Sequence, residues 1–266
     1  MSKTEIVSII NQKGGVGKTT TAINLAAGLA LKNKKILVID LDPQGNATTG
    51  LGLRNDDETK TIYDVLNGNS NFENAIKDTK IDNLKLVSSN VDLSGLEIET
   101  ASENRRAFLL KDKIENFINS SKNDFSYIFI DCPPSLSLLT IMSLVVANSL
   151  IVPLQTEFFA LEGLTQLIKT IDRIKINLNP ELKIRGVLLT MFDKRNKLSA
   201  QVETDARKFL NEKVYHTVIP RNVRLSEAPS HGIPILVYDK MSSGSISYSN
   251  FAEEFLKQEN ILESAA

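Results

Sequence analysis

The stretch Lys13–Thr20, KGGVGKTT, lies between the apolar run IVSII and the helix-forming TAINLAAGLA. No other segment restricts the fold as tightly. A glycine-rich loop joining a strand to a helix aims several backbone N–H groups at one point, and the positive end of the helix dipole aims there too. A polyphosphate is the natural occupant. Gly14, Gly15 and Gly17 remove side chains that would block close approach, and glycine tolerates the φ values such a loop needs. The backbone of Val16 and Thr20 belongs to the same cradle. Lys18 is placed to reach the β- and γ-phosphates, and the Thr19 hydroxyl to ligate Mg²⁺.

One position departs from the usual G-x-x-x-x-G-K-[ST] loop: its first glycine would fall on Gln12. A second lysine, Lys13, opens the loop instead. This resembles the deviant Walker A form, K-G-G-x-G-K-[ST], of the ParA/Soj partition ATPases, the MinD-like ATPases and the nitrogenase iron protein. The resemblance implies one ATP and one Mg²⁺ per monomer. It also implies that Lys13 reaches across a dimer interface to the nucleotide of the other subunit.

Strand-like and helix-like segments alternate along the chain. Strands are expected at Glu5–Ile10, Lys35–Asp40, Leu84–Ser88, Tyr127–Asp131, Ser149–Leu154, Ile184–Thr190 and Val214–Ile219. Helical spacing marks Lys18–Lys32, Ser102–Asn119, Leu136–Ala147, Leu161–Ile176, Ala200–Asn211 and Ile246–Gln258. Asn67–Asn83 reads as a surface loop or short helix, and Met241–Ser249 as a serine-rich loop. Continuous apolar strands separated by helices predict an α/β fold: a doubly wound, mostly parallel sheet with helices on both faces, of the P-loop NTPase type. Neither repeats nor a Pro/Gly/Ser-rich linker divides it, so residues 1–266 are expected to form one domain. Ligands of such sheets sit at the carboxyl ends of the strands.

Two more strand ends carry chemistry. DLDPQGNAT places Asp40 and Asp42 two residues apart, and YIFID ends in Asp131. A phosphate site with Mg²⁺ needs a nearby carboxylate, and hydrolysis needs a group that orients water. Asp131 fits the Walker B role of holding Mg²⁺ through its water shell. By resemblance to the family's D-x-D-P-Q-x-N motif, Asp42 positions the attacking water, while Asp40 supports the metal region or the loop. Cys132, the one cysteine, reads as a packed small residue.

VIPRNVRLSEAPSHGIPI is similar to the ParA/Soj proteins in particular, and the combined resemblance runs from about Ile6 to Ile235. It implies that Pro220 and Asn222 lie against the adenine. It further implies DNA binding without sequence preference, through Lys194, Arg195, Arg221 and Arg224 on the ATP-bound homodimer, and a ParB-like centromere-binding partner that stimulates hydrolysis. Net charge is −1, but Lys183–Arg224 holds ten Lys/Arg and four Asp/Glu, a local balance of +6. That suits either a phosphate-attracting patch or ordinary surface scatter.

A single cysteine rules out a disulfide within the chain, and a cluster bridging two subunits needs two cysteines from each, which excludes a nitrogenase-like iron protein. The chain reads straight into its first strand, so neither a leader peptide nor an N-terminal DNA-reading extension is expected. With no membrane-length apolar run, a cytoplasmic, nucleoid-associated location follows from the resemblance. A MinD-like membrane switch is the alternative. It requires a basic amphipathic tail, whereas FAEEFLKQENILESAA has four Glu and one Lys. An ATP-dependent amide-forming or carboxylating enzyme is a third possibility, sharing the P-loop architecture but needing an acceptor pocket.

Overall fold

The computed structural model describes residues 4–54, 59–120 and 124–264, with side chains placed as far as Gln258. The first three residues and the last part of the acidic tail therefore lie outside the described side chains. Seven strands form one sheet in the order β3-β4-β2-β5-β1-β6-β7. They are β1 Glu5–Ile9, β2 Ile36–Asp40, β3 Ile76–Asp78, β4 Leu84–Val87, β5 Tyr127–Asp131, β6 Ser149–Gln155 and β7 Lys183–Thr190. Every neighbouring pair is parallel except β3 with β4. The chain winds from central β1 towards β2 and β4 on one side and β6 and β7 on the other, as expected of a doubly wound sheet.

In β1, β2, β5 and β6 nearly every residue is buried, on both faces, which is why these strands read as continuous apolar runs. Ile36 and Val38 join one core with the first helix, Lys18–Ala30, and the closing helix, Ser243–Ser264. Leu37 and Ile39 join the opposite core with Leu110, Ile114 and Met142. A third core lies at β6 and β7, where Leu164, Leu167 and Ile171 of the helix Ala160–Asn177 cover Leu150, Val152 and Leu189.

The first and closing helices touch at backbone distance. A Cβ on Gly28 would come within 2.9 Å of Ala252 Cβ, and Thr21 Oγ1 meets Tyr248 Oη at 3.1 Å. The closing helix is also pinned to the sheet. The Arg185 guanidinium pairs with Glu5, stands 3.7 Å from the Phe255 ring centroid and donates to the Phe255 carbonyl at 3.0 Å.

Four expectations change. Val214–Ile219 is not a strand: it meets β7 at an isolated bridge, Val187 with Val214, and through single bonds from Tyr215 N–H to the Val187 carbonyl at 3.0 Å and from Ile219 N–H to the Leu189 carbonyl at 2.8 Å. The His216 and Thr217 N–H groups donate instead to the Glu254 carboxylate of the closing helix, at 2.6 and 2.8 Å, so no ladder continues. The helix expected from Ser102 begins at Leu109 after a short 3₁₀ turn, because residues 101–105 are exposed and have no apolar face to bury. Within Asn67–Asn83 a helical turn, Phe72–Ala75, leads into edge strand β3. The serine-rich segment enters the closing helix at Ser243, where the Ser242 hydroxyl accepts from Ser245 N–H at 3.2 Å and Tyr248 is buried.

Gly186 in β7 faces the fully buried Tyr215 ring, which itself packs edge-on against Phe251. A Cβ there would stand 2.4 Å from the ring. Gly186→Ala is expected to cost about 1–3 kcal/mol of folding stability by overpacking. A fall in the urea midpoint with an unchanged slope is the expected signature; an unchanged midpoint would contradict it.

Candidate functional site

Central β1 delivers the chain into the loop before the first helix. Gly15 and Gly17 have φ of +73° and +91°, the left-handed region where a Cβ is strained. Gly14 is different: a Cβ there would meet only Pro134, at an ordinary 3.7 Å. Gly17 caps the helix, and the N–H groups that open the helix have no intrahelical acceptor. Two residues that sequence reasoning passed over hold the loop in shape. Buried Asn11 accepts from Lys13 N–H at 3.0 Å and donates to the Pro153 carbonyl of β6 at 2.7 Å. Thr190, at the end of β7, donates to the Val16 carbonyl at 2.8 Å. Asn11 borders the motif in sequence; Thr190 is joined to it only by the fold.

Lys18 is buried, and its ammonium donates to the Lys13 carbonyl at 3.1 Å. Burial lowers its pKa, against the opposing pull of Asp131, Cys132 and Asp42. Lys13 lies outside this cluster. Its side chain is about half exposed and forms an ion pair with Glu157, just beyond β6.

The three carboxylates converge because their strands are neighbours. Register sets Asp40 beside Asp131 across β2 and β5, and Asp131 beside Ile9 across β5 and β1. Asp40 is wholly buried and committed to the loop that follows it. Its Oδ2 accepts from both the N–H and the hydroxyl of Thr48 at 2.7 Å, and its Oδ1 from Asp42 N–H at 3.2 Å. Burial raises its carboxyl to about 6 despite these bonds. Asp42 accepts from Gln44 N–H at 3.0 Å, and Gly45, with φ of +63°, starts the short helix Asn46–Gly50.

Asp131 has both oxygens buried without a hydrogen bond of acceptable geometry. Burial pushes its carboxyl well up and the Asp40 charge adds to that, while the Thr19 side chain and the Lys18 ammonium oppose it. A carboxyl whose two oxygens are orphaned beside a threonine hydroxyl, and whose charge needs a cation nearby, suits a hard divalent ion. Among the described residues no group of three His, Cys, Asp or Glu is arranged to hold a metal ion by itself, so water and phosphate oxygens would supply the other ligands. Cys132 donates to Ser143 Oγ at 3.1 Å and is pushed up to about 12 by burial, a packed neutral thiol.

Lys18, Thr19 and Asp42 line a cavity of about 460 Å³ together with Met191 and Pro234 among others; Asp40 and Asp131 lie behind its wall. Pro220 and Asn222 do not line it. Asn222 caps the helix Val223–Glu227 by accepting from Leu225 N–H at 3.2 Å, and its amide donates to Ser243 Oγ at 2.9 Å. The apolar wall comes instead from Met191, Ile233, Pro234 and Ile235. Asn24 ties that wall to the first helix, accepting from Ile235 N–H at 2.8 Å. A wider polar cleft of about 700 Å³ adjoins at Thr49 and Ser230. It contains neither loop lysine and none of the three carboxylates, so the chemistry belongs to the smaller cavity.

Lys194, Arg195 and Arg221 are exposed and close in the fold, since Arg221 N–H donates to the Phe192 carbonyl at 3.0 Å. Two of the four predicted DNA-binding residues have acidic partners. Arg195 makes a two-point contact with Asp193 at 3.1 and 3.0 Å, holding that carboxyl down at about 2. Arg224 donates to Glu227 at 2.7 Å and stands 3.6 Å from Asp239. The local excess of positive charge is therefore partly neutralised in place.

An AAA domain family model matches residues 4–184. The chain is 49% identical over 254 residues to the chromosome partitioning protein ParA of Caulobacter vibrioides, spanning 96% of this chain and 94% of that protein. It is 45% identical over 259 residues to the chromosome-partitioning ATPase Soj of Treponema pallidum, spanning 97% and 99%. Among solved structures, cobyrinic acid a,c-diamide synthase from Mycobacterium smegmatis with bound ADP and magnesium aligns with a TM-score of 0.83 at 33% identity, covering 97% of this chain and 96% of that one.

A carboxyl raised to about 6 keeps its proton in the fold after the unfolded chain, with an ordinary value of 3.8, has released it. Asp40 thus opposes folding above pH 6, and that opposition fades as pH falls towards 4. In nucleotide-free protein, Asp40→Asn is expected to flatten the stability profile between pH 4 and 6. Parallel profiles for the two proteins, measured by chemical denaturation, would refute this assignment.

Proposed function

The chain belongs to the ParA/Soj family of chromosome-partitioning ATPases, and on that premise we propose that it is a DNA-segregation switch. ATP joins two copies, the joined form binds DNA without sequence preference, and hydrolysis stimulated by a ParB-like partner releases it. The supporting observation is the split between the two lysines. Lys18, Thr19 and Asp42 line their own cavity, whereas Lys13 is turned out of it. A cation that leaves its own site is suited to serving the site of a second copy.

In this reading the N–H groups of the glycine loop and first helical turn hold the phosphates. Lys18, whose ammonium donates to the Lys13 carbonyl, would bind the β- and γ-phosphate oxygens. Thr19 and Asp131 would hold Mg²⁺, which would supply neutralisation of phosphate charge. Asp42, at the cavity wall, orients the attacking water. Asp40 acts through Thr48, keeping the loop from Asp42 to Asn46 against the strand ends. Hydrolysis serves as a timer, so turnover without a partner is slow.

Lys194, Arg195, Arg221 and Arg224 would supply the phosphate contacts, doubled in the dimer. The cobyrinic acid a,c-diamide synthase likeness favours an amide-forming enzyme as a second reading. Its 33% identity is lower than the 45–49% shared along the whole chain with proteins named for partitioning. Glutamine-dependent product formation from candidate acids would favour that alternative. No helix among the described residues is long and apolar enough to cross a membrane, and the acidic tail disfavours a MinD-like switch at anionic lipid.

Asp42→Ala, which leaves the cradle intact, is expected to form a stable ATP-bound dimer in sedimentation and to retard random DNA in low salt. Lys13→Ala is expected to bind nucleotide yet stay monomeric. Arg224→Ala should dimerise normally but reduce the salt slope of DNA binding by about 1 per lost contact. An Asp42→Ala protein that remains monomeric with ATP and ignores DNA would end the proposal.

A further inference from the structure

We propose that Gly52 and Gly232 are positioning residues for hydrolysis: their backbones meet with no side chain between them and lock the segment behind Asp42 to the apolar wall of the smaller cavity, so that the wall seats Asp42. This rests on the reading of Asp42 as the group that orients the attacking water.

The short helix Asn46–Gly50 follows Asp42, and two fixtures hold it. Within it, Thr48 bonds Asp40 through both its N–H and its hydroxyl. Beyond it, the chain turns at Gly52, whose N–H donates to the Thr49 carbonyl at 3.0 Å, and runs against Gly232. A Cβ on Gly52 would stand 2.6 Å from the Gly232 carbonyl oxygen, and one on Gly232 would stand 2.5 Å from Gly52 Cα. Both residues also have positive φ, +83° and +63°. Space and backbone conformation thus each demand glycine at both places. Gly50 extends the seam, since a Cβ there would stand 2.5 Å from Ile23 Cδ1 and 3.7 Å from Pro229 Cβ.

On the other side of the seam, Gly232 closes the 3₁₀ turn Ala228–His231, donating to the Pro229 carbonyl at 3.0 Å. The next three residues, Ile233, Pro234 and Ile235, are the cavity wall, and Ile235 N–H is held by Asn24 of the first helix. A contact between two main chains has no rotamer through which to relax, so a displacement of one segment passes to the other. A ligand that bears on Ile233–Ile235 therefore bears on the segment that carries Asp42. The two walls of the cavity, far apart in sequence, answer to the same ligand.

The test measures ATP turnover and the dissociation constant of a non-hydrolysable ATP analogue with Mg²⁺. It compares the parent protein with Gly52→Ala, Gly232→Ala, Asp42→Ala, the Asp42→Ala/Gly232→Ala double variant and Gly68→Ala. Either seam variant should lower the turnover number by about ten- to a hundredfold, as a displacement of the order of an ångström does, with analogue affinity changed by about twofold at most. On the Asp42→Ala background, Gly232→Ala should lower turnover no further. Gly68 has a φ of +85° and nothing within 4 Å of its Cβ position, so Gly68→Ala carries the backbone strain without the clash and should keep the parent turnover.

A second measurement leaves the glycines in place. Thr48→Val removes the bonds to Asp40, and amide hydrogen exchange is then followed without nucleotide. Exchange should quicken by about the same factor in residues 46–53 and 228–235, while the helix Leu109–Asn119 on the opposite face keeps its parent rate. Residues 228–235 exchanging at their parent rate while 46–53 quicken would overturn the seam. So would seam variants with parent turnover, a loss of affinity as large as the loss of turnover, or a Gly232→Ala effect that persists without Asp42. Each of these leaves the partition switch standing. An Asp42→Ala protein that turns over ATP as fast as the parent overturns both the seam and the role given to Asp42.

Discussion

Parallel pairing at the centre of the sheet positions everything chemical in this molecule. β2, β5 and β1 run side by side and end at one level, so Asp40, Asp131 and the loop after Ile9 share a single edge. No contact between side chains is needed to bring them together; the backbone register does it. Because the connections run through helices, one of these strand ends continues into a helix N-terminus, whose positive field faces the carboxylates of the other two. The candidate cation and phosphate sites are therefore neighbours by construction.

That arrangement is electrostatically expensive without ligand. Asp40 and Asp131 are both wholly buried, and only Asp40 is well supplied with donors. Lys18 lies in the same interior and is itself disfavoured as a cation by burial. A nucleotide carrying a divalent ion would reorganise all three: the anionic oxygens gain a metal partner, and the ammonium gains phosphate. The loop behind Asp42 depends on Asp40 through Thr48, whose hydroxyl also accepts from Ser89 N–H at 3.0 Å. Asp40 is thus two hydrogen bonds from Ser89, just beyond the end of β4.

What the sequence could reveal divides along chain distance. Lys13, Gly15, Gly17, Lys18, Thr19, Asp42 and Asp131 were legible because each motif carries its own strand–loop context within a few residues. Asn11 and Thr190 were not, since their work is to bond a loop carbonyl or amide from a neighbouring strand. The segment Val214–Ile219 has the composition of a strand, and only Glu254, 37 residues beyond Thr217, shows why it does not pair as one. Pro220 and Asn222 do not line the cavity; residues further along the same motif, from Ala228 to Ile235, do. The basic residues were visible as a charge count. Counting could not show that Asp193 lies against Arg195, or that Glu227 and Asp239 flank Arg224.

Gly28 carries a consequence of another kind. With no side chain between them, the first helix and the closing helix meet so closely that a single methyl group would collide with Ala252. A joint that tight has no play. Whatever tilts the helix under the phosphates must carry the closing helix with it, and through Glu254 and Arg185 must tug on the far end of the sheet. The molecule thus has a built-in pushrod from its catalytic edge to its opposite rim, and its stiffness comes from a residue that contributes no side chain at all.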